Sequence, residues 1–204
     1  MVLNAGELAD SLGFPPEENP HIGMLLDLFS DPATNPHCHK LLLVTKAGLQ
    51  ATQAHLAGRT PSENAILSWS VGNAQNDEPY WSFALGEAGR VAAADWAAWR
   101  GWQVRLRLDP IIVTPGPILH WAAHIVQDFR EDNGPELITL GTLRHRGGRP
   151  KLPAPERASI YRAALEGLRA GGYEGEIGLC KETPEMIRDV LAIEPETMRC
   201  NCTP

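Results

Sequence analysis

Three of the four cysteines, Cys180, Cys200 and Cys202, fall within the last twenty-five residues of the chain. Thiols gathered in this way point either to sulfur chemistry or metal binding, or to small buried side chains that close a C-terminal edge. Cys180 ends an apolar run and is followed by Lys181 and Glu182, which makes it a candidate catalytic thiol. Together with Cys200 and Cys202 it is also the candidate for a small metal site. A second set of reactive residue types recurs where other apolar runs end. These are Gly6 and Glu7, Thr45 and Lys46, Ser68 and Ser70 with Asn73, Arg105, Arg107 and Asp109, then Thr139, Thr142 and Arg144. One polar residue at such a place is unremarkable in any α/β sheet, but acid, base, hydroxyl and thiol at successive exits suggest a shared site.

The elements that must position these residues are legible as alternating short apolar runs and longer helical patterns, the signature of β-α units around a parallel sheet. Strands are expected over 40–46, 65–71, 103–112, 136–144 and 176–180, with a sixth near 2–8. Helices are expected near 20–30, 48–57, 86–102, 117–131, 155–170 and 184–191. Pro155 and Pro184 suit first helical turns, where a missing N–H costs nothing. The fold class is α/β, a partial (β/α) TIM-type barrel of about six parallel strands. In such folds chemistry sits at the carboxyl ends of the strands, where the polar exits lie.

Composition fits a single domain over 1–204, with no long linker and no low-complexity segment. No run of about eighteen apolar residues occurs, and the N-terminus lacks both a basic stretch and an apolar core, so a cytoplasmic protein with no membrane partner is expected. The thiol spacing is not that of a disulfide framework, and reduced cysteines are expected. A net charge of -7 argues against a general polyanion binder. The exception is local: Arg144, His145, Arg146, Arg149 and Lys151 form one basic cluster, RHRGGRPK, on a Gly-Pro loop after a strand exit, a candidate contact for a nucleic-acid backbone. His120 and His124 are four apart, but no acid between them completes a metal site. The six tryptophans read as core and helix packing.

Several segments together resemble one family. NAGELADSL at Asn4 to Leu12, LLVTKA at Leu42 to Ala47, LSWSVGN at Leu67 to Asn73, RLRLDPII at Arg105 to Ile112, ITLGTLR at Ile138 to Arg144, and LCKETPEM with MRCNC are similar to the spore photoproduct lyase-like branch of the radical S-adenosylmethionine enzymes. The resemblance implies a partial barrel that holds S-adenosylmethionine and a [4Fe-4S] cluster across its strand tips, served by a reductant protein. It assigns Glu7 to the cosubstrate's amino group, Lys46 and Ser70 to its carboxylate, and Asp109 to the adenosine or substrate side. Arg105, Arg107 and Arg144 become candidate substrate-binding residues, with a nucleic acid as the candidate substrate. Two departures qualify this. No CxxxCxxC occurs in the sequence, so the cluster is not expected in this chain, and the first β-α unit is expected to be missing. The place of the lyases' hydrogen-donor cysteine is taken by Glu7. The alternatives are therefore a catalytically dead barrel that binds a ligand or protein, and a metal site made by the C-terminal cysteines.

Overall fold

The computed structural model describes residues 1–5, 10–72, 86–111, 115–129, 134–142 and 152–203. Apolar runs too continuous to alternate become strands buried on both faces, as a parallel sheet requires. KLLLVT forms β2 (Lys40–Thr45), and AILSWSV forms β3 (Ala65–Val71), which is buried at every position. With β1 (Val2–Asn4), β4 (Gln103–Ile111), β5 (Leu137–Thr142) and β6 (Glu176–Leu179) they make a six-stranded sheet in sequence order. Every neighbouring pair is parallel. The crossovers carry α1 (His21–Ser30), α2 (Leu49–Leu56), α3 (Glu87–Trp99), α4 (Pro115–Gln127) and α5 (Ala154–Ala170), and α6 (Pro184–Leu191) follows β6. The sheet curls into a half-barrel, the expected α/β architecture. Of the expected helices, the fourth is displaced, starting at Pro115 and ending at Gln127.

Alternate strand residues divide between the two faces. Leu43, Leu67, Trp69, Leu106 and Leu140 join the main core with helical residues such as Leu26, Leu56, Ala94, Ile118 and Tyr161. Leu42, Val44 and Ile66 form a separate apolar cluster on the concave face. Above them that face turns polar. Strand register aligns Val44 with Ser68 and Ser68 with Arg105, and one step higher aligns Ser70 with Arg107, Arg107 with Thr139, and Thr139 with Gly178.

The turn out of β6 is sharply defined. Lys181 takes a left-handed backbone conformation with φ 54°, and Thr183 then caps α6 by accepting the N–H of Met186 at 3.3 Å, with Pro184 in the first turn. Among the described residues, no helix is long and apolar enough to cross a membrane.

Candidate functional site

After α6 and a 3-10 turn (Pro195–Thr197), the chain folds back over the concave face. It passes β6 so closely that a Cβ on Gly178 would lie 2.2 Å from the carbonyl oxygen of Arg199. Arg199 reaches Glu176 at 2.7 Å and Glu136 at 3.4 Å. Arg105 then clamps the tail: its Nη1 donates to the carbonyls of Asn201 at 3.0 Å and Thr203 at 2.6 Å, and its Nε donates to Glu136 at 2.5 Å. Ser68 donates to Asn201 Oδ1 at 2.7 Å. For Glu136, burial alone would raise the pKa, but hydrogen bonds from Gln103 and Arg105 and the charges of Arg105 and Arg199 hold it below the ordinary value of 4.5. The tail is thus the floor of a cup whose walls are the strand tips.

The wall begins at Lys46. Asp10 fixes this tip by accepting the N–H of Lys46 at 2.6 Å, the hydroxyl of Thr45 at 2.5 Å and the N–H of Leu12 at 3.0 Å. Such a carboxylate turn holds the backbone where the sheet's own hydrogen bonds run out. Ser70 is buried, and its carbonyl accepts Arg90 Nη1 at 3.3 Å. Arg107 Nη2 donates to Asp109 Oδ2 at 3.2 Å, in a pair that stays partly open to solvent. Asp109 lies on bare backbone, since a Cβ on Gly141 would stand 2.6 Å from its Cγ. Arg107 Nε and Thr139 Oγ1, on register partners of the same face, are buried without a hydrogen-bond partner among the described residues. Buried polar atoms left in this way are costly, which marks the place as one suited to a polar guest.

Behind the tips of β5 and β6 lies a closed polar network. Glu182 has a fully buried side chain that accepts Arg157 at 3.1 and 2.9 Å and the Tyr161 hydroxyl at 2.8 Å. The same hydroxyl accepts the N–H of Thr142 at 3.1 Å. Burial, with the Glu182 charge added, pushes the Tyr161 pKa up to about 12 despite its hydrogen bonds with Thr142. This network sets the backbone that carries Cys180, whose own N–H donates to the Leu140 carbonyl at 2.7 Å.

The four cysteines are thiols. The neighbouring Cys202 thiol lowers the Cys200 pKa to about 6 against the opposing effect of burial, and the adjoining backbone of Cys202 and Thr203 and the charge of Arg105 act in the same direction. Cys202 is pushed up by the neighbouring Cys200 thiol, by burial and by the Cys200 charge, while Arg107 opposes the shift and Cys180 adds to it.

The expected site residues divide accordingly. Lys46, Ser70, Arg107, Asp109 and Cys180 lie at neighbouring strand tips or just beyond them. Arg105 is fully buried, and its Nε and Nη1 hold Glu136 and the tail, a structural anchor that the sequence did not announce. The metal site expected as an alternative from Cys180, Cys200 and Cys202 does not form, because among the described residues no group of three or more His, Cys, Asp or Glu could hold an ion. Glu7, Asn73, Arg144, His145, Arg146, Arg149 and Lys151 lie outside the described residues. Asp10 and Asn201 were missed by sequence reasoning. Asp10 was signalled by its Asp-Ser-Leu turn spacing, whereas nothing in the tail's sequence marked Asn201.

The chain matches no family model and no curated protein. Solved structures do resemble it. A variant of spore photoproduct lyase with bound AdoMet and dinucleoside spore photoproduct aligns with a TM-score of 0.52 and 16% identity, over 81% of this chain and 46% of that one. SuiB of Streptococcus suis aligns with a TM-score of 0.55 and 12% identity, over 98% of this chain and 42% of that one. The fold is radical-SAM-like. At this identity the likeness is one of fold, and the chain spans less than half the length of either structure.

Proposed function

We propose that this half-barrel binds S-adenosylmethionine across its strand tips, as the spore photoproduct lyase-like resemblance implies. The observation that carries the reading is the pair of buried atoms, Arg107 Nε and Thr139 Oγ1, that have no partner among the described residues and lie on the concave face beside Ser70 and Lys46. The donors of Lys46, Ser70 and Arg107 suit the cosubstrate's carboxylate, and Asp109 suits a cationic or hydroxyl-bearing part. Glu7 is assigned the amino group on the resemblance alone.

Beside a reduced iron–sulfur cluster, S-adenosylmethionine supplies a radical initiator. The residues of this chain do not fit such a cluster: the sequence has no CxxxCxxC, and the described cysteines make no group that could hold a metal. The reading for this chain is therefore binding. Its role in repair of a nucleic acid, with the RHRGGRPK segment at the substrate, remains a proposal resting on the resemblance.

Titration calorimetry of the purified chain with S-adenosylmethionine, and with S-adenosylhomocysteine for comparison, tests this. Saturable binding is expected, weakened about tenfold or more by Lys46→Ala and by Ser70→Ala, the loss of one charge-assisted or buried hydrogen bond. Absence of binding to a chain shown to be folded by circular dichroism would overturn it.

A further inference from the structure

We propose that Cys200 and Cys202 are a reversible dithiol–disulfide pair that reacts with low-molecular-weight disulfides at the floor of the cup. The argument starts from how the tail is held. Cys200 to Thr203 form a tight turn: Thr203 N–H and Oγ1 both donate to the Cys200 carbonyl, at 3.0 and 2.8 Å, and Cys200 N–H donates to Thr203 Oγ1 at 3.0 Å. Arg105 grips the carbonyl of the residue between the two cysteines and that of the residue after them, and Ser68 holds the Asn201 side chain. The backbone is thus pinned on both sides of the two thiols, which stand two residues apart in one tight turn. Backbone ordering that a short disulfide loop needs is already present in this turn.

Access and charge agree with this geometry. Cys202 is exposed and Cys200 half-buried, whereas Cys180 is buried. The Cys202 thiol and the charge of Arg105 favour the charged form of Cys200, so Cys200 is the attacking thiolate and Cys202 the proton-bearing partner. With glutathione disulfide as oxidant, the Cys200 thiolate attacks one sulfur of the disulfide and expels one glutathione thiolate. Cys202 then gives its proton to solvent and attacks the Cys200 sulfur of the mixed disulfide, which expels the second glutathione. Two protein thiols are oxidised and one disulfide is reduced to two thiols. A dithiol returns the electrons by the reverse steps. The inference is independent of cosubstrate binding.

The test uses the full chain equilibrated in glutathione buffers of graded oxidation, quenched by alkylation and cleaved with trypsin. Cleavage after Arg199 releases a segment that holds Cys200 and Cys202 and no other cysteine. The expected product under oxidation is that segment unalkylated and lighter by two hydrogens, restored to the doubly alkylated form by dithiothreitol. Cys202→Ser is expected to arrest Cys200 as its glutathione mixed disulfide, and Cys180→Ser to leave the pair forming normally. In the reduced chain, the alkylation rate of Cys200 is expected to rise with a midpoint near pH 6, and Cys202→Ala should move that midpoint upward. Full double alkylation at every glutathione ratio, or loss of the crosslink in Cys180→Ser, would overturn the proposal.

Discussion

The Arg199 carbonyl and the Cα of Gly178 meet with no room for a side chain between them, the missing Cβ falling 2.2 Å from the oxygen. Both partners are backbone, so neither can swing aside. Gly178→Ala is therefore expected to lift the tail from the half-barrel. The cost is about 1–3 kcal/mol, the usual range for forcing an extra carbon into a packed place. Urea unfolding measures the loss, and amide hydrogen exchange should show protection falling at 199–203 while β2 and β3 keep theirs.

Asp109 and Gly141 are coupled in the same manner but through a side chain. Gly141→Ala should push the Asp109 carboxylate off its seat and away from Arg107. In an Asp109→Ala background the three nearest obstructing atoms are gone, so the cost of the same substitution should shrink. A double-mutant cycle on unfolding free energy should give a coupling of about 0.5–3 kcal/mol, the range for residues in direct contact. Additive effects would show that the two do not touch.

Two ion pairs on α5 should behave very differently. Arg157 and Glu182 are both buried, whereas Arg162 and Asp189 are more than half exposed. Arg157→Ala leaves a buried carboxylate without its cation and is expected to cost about 3–5 kcal/mol. Arg162→Ala is expected to cost about 0–1 kcal/mol. Thermal and chemical unfolding of the two variants side by side distinguish them.

Tyr161 predicts how the fold responds to alkali. Its folded pKa of about 12 exceeds the ordinary 10.0, so the folded state holds the proton more tightly than the unfolded chain does. The stabilisation linked to that proton is complete below pH 10 and is lost as the pH rises through about 12. Unfolding measured across this window should show a steep loss in the parent. Tyr161→Phe should flatten it while lowering stability at neutral pH, since the Thr142 N–H and Glu182 each lose a partner.

The sheet was legible in the sequence because LLLV and AILSWSV are too apolar and too continuous for anything but strands buried on both faces. The polar residues at the strand tips followed from the same reading, as the places where apolar runs end. The burial of Arg105 was not legible locally. The alternation Arg-Leu-Arg-Leu-Asp reads as one apolar and one solvent face, and only the tail, which is small and polar with no periodicity of its own, turns the lower part of that face into an interior. Glu182 follows the exit of β6 in the sequence, with nothing to show that its side chain is buried. Its burial depends on Arg157 from α5, a partner 25 residues earlier that no local pattern announces.

The hydrogen bond between Ser68 and Asn201 spans 133 residues. Bringing such distant points together carries a chain-closure entropy of about 4 kcal/mol before any contact repays it, whereas the neighbouring strands of the sheet are linked by much shorter loops. Contacts of this range slow folding. The kinetic order that follows is a curved sheet formed first, its lumen wet, and a late step in which the tail displaces that water. Stopped-flow refolding that follows tryptophan fluorescence for the helix-covered sheet and thiol alkylation of Cys200 for the tail should resolve two phases, and a single shared phase would contradict this order.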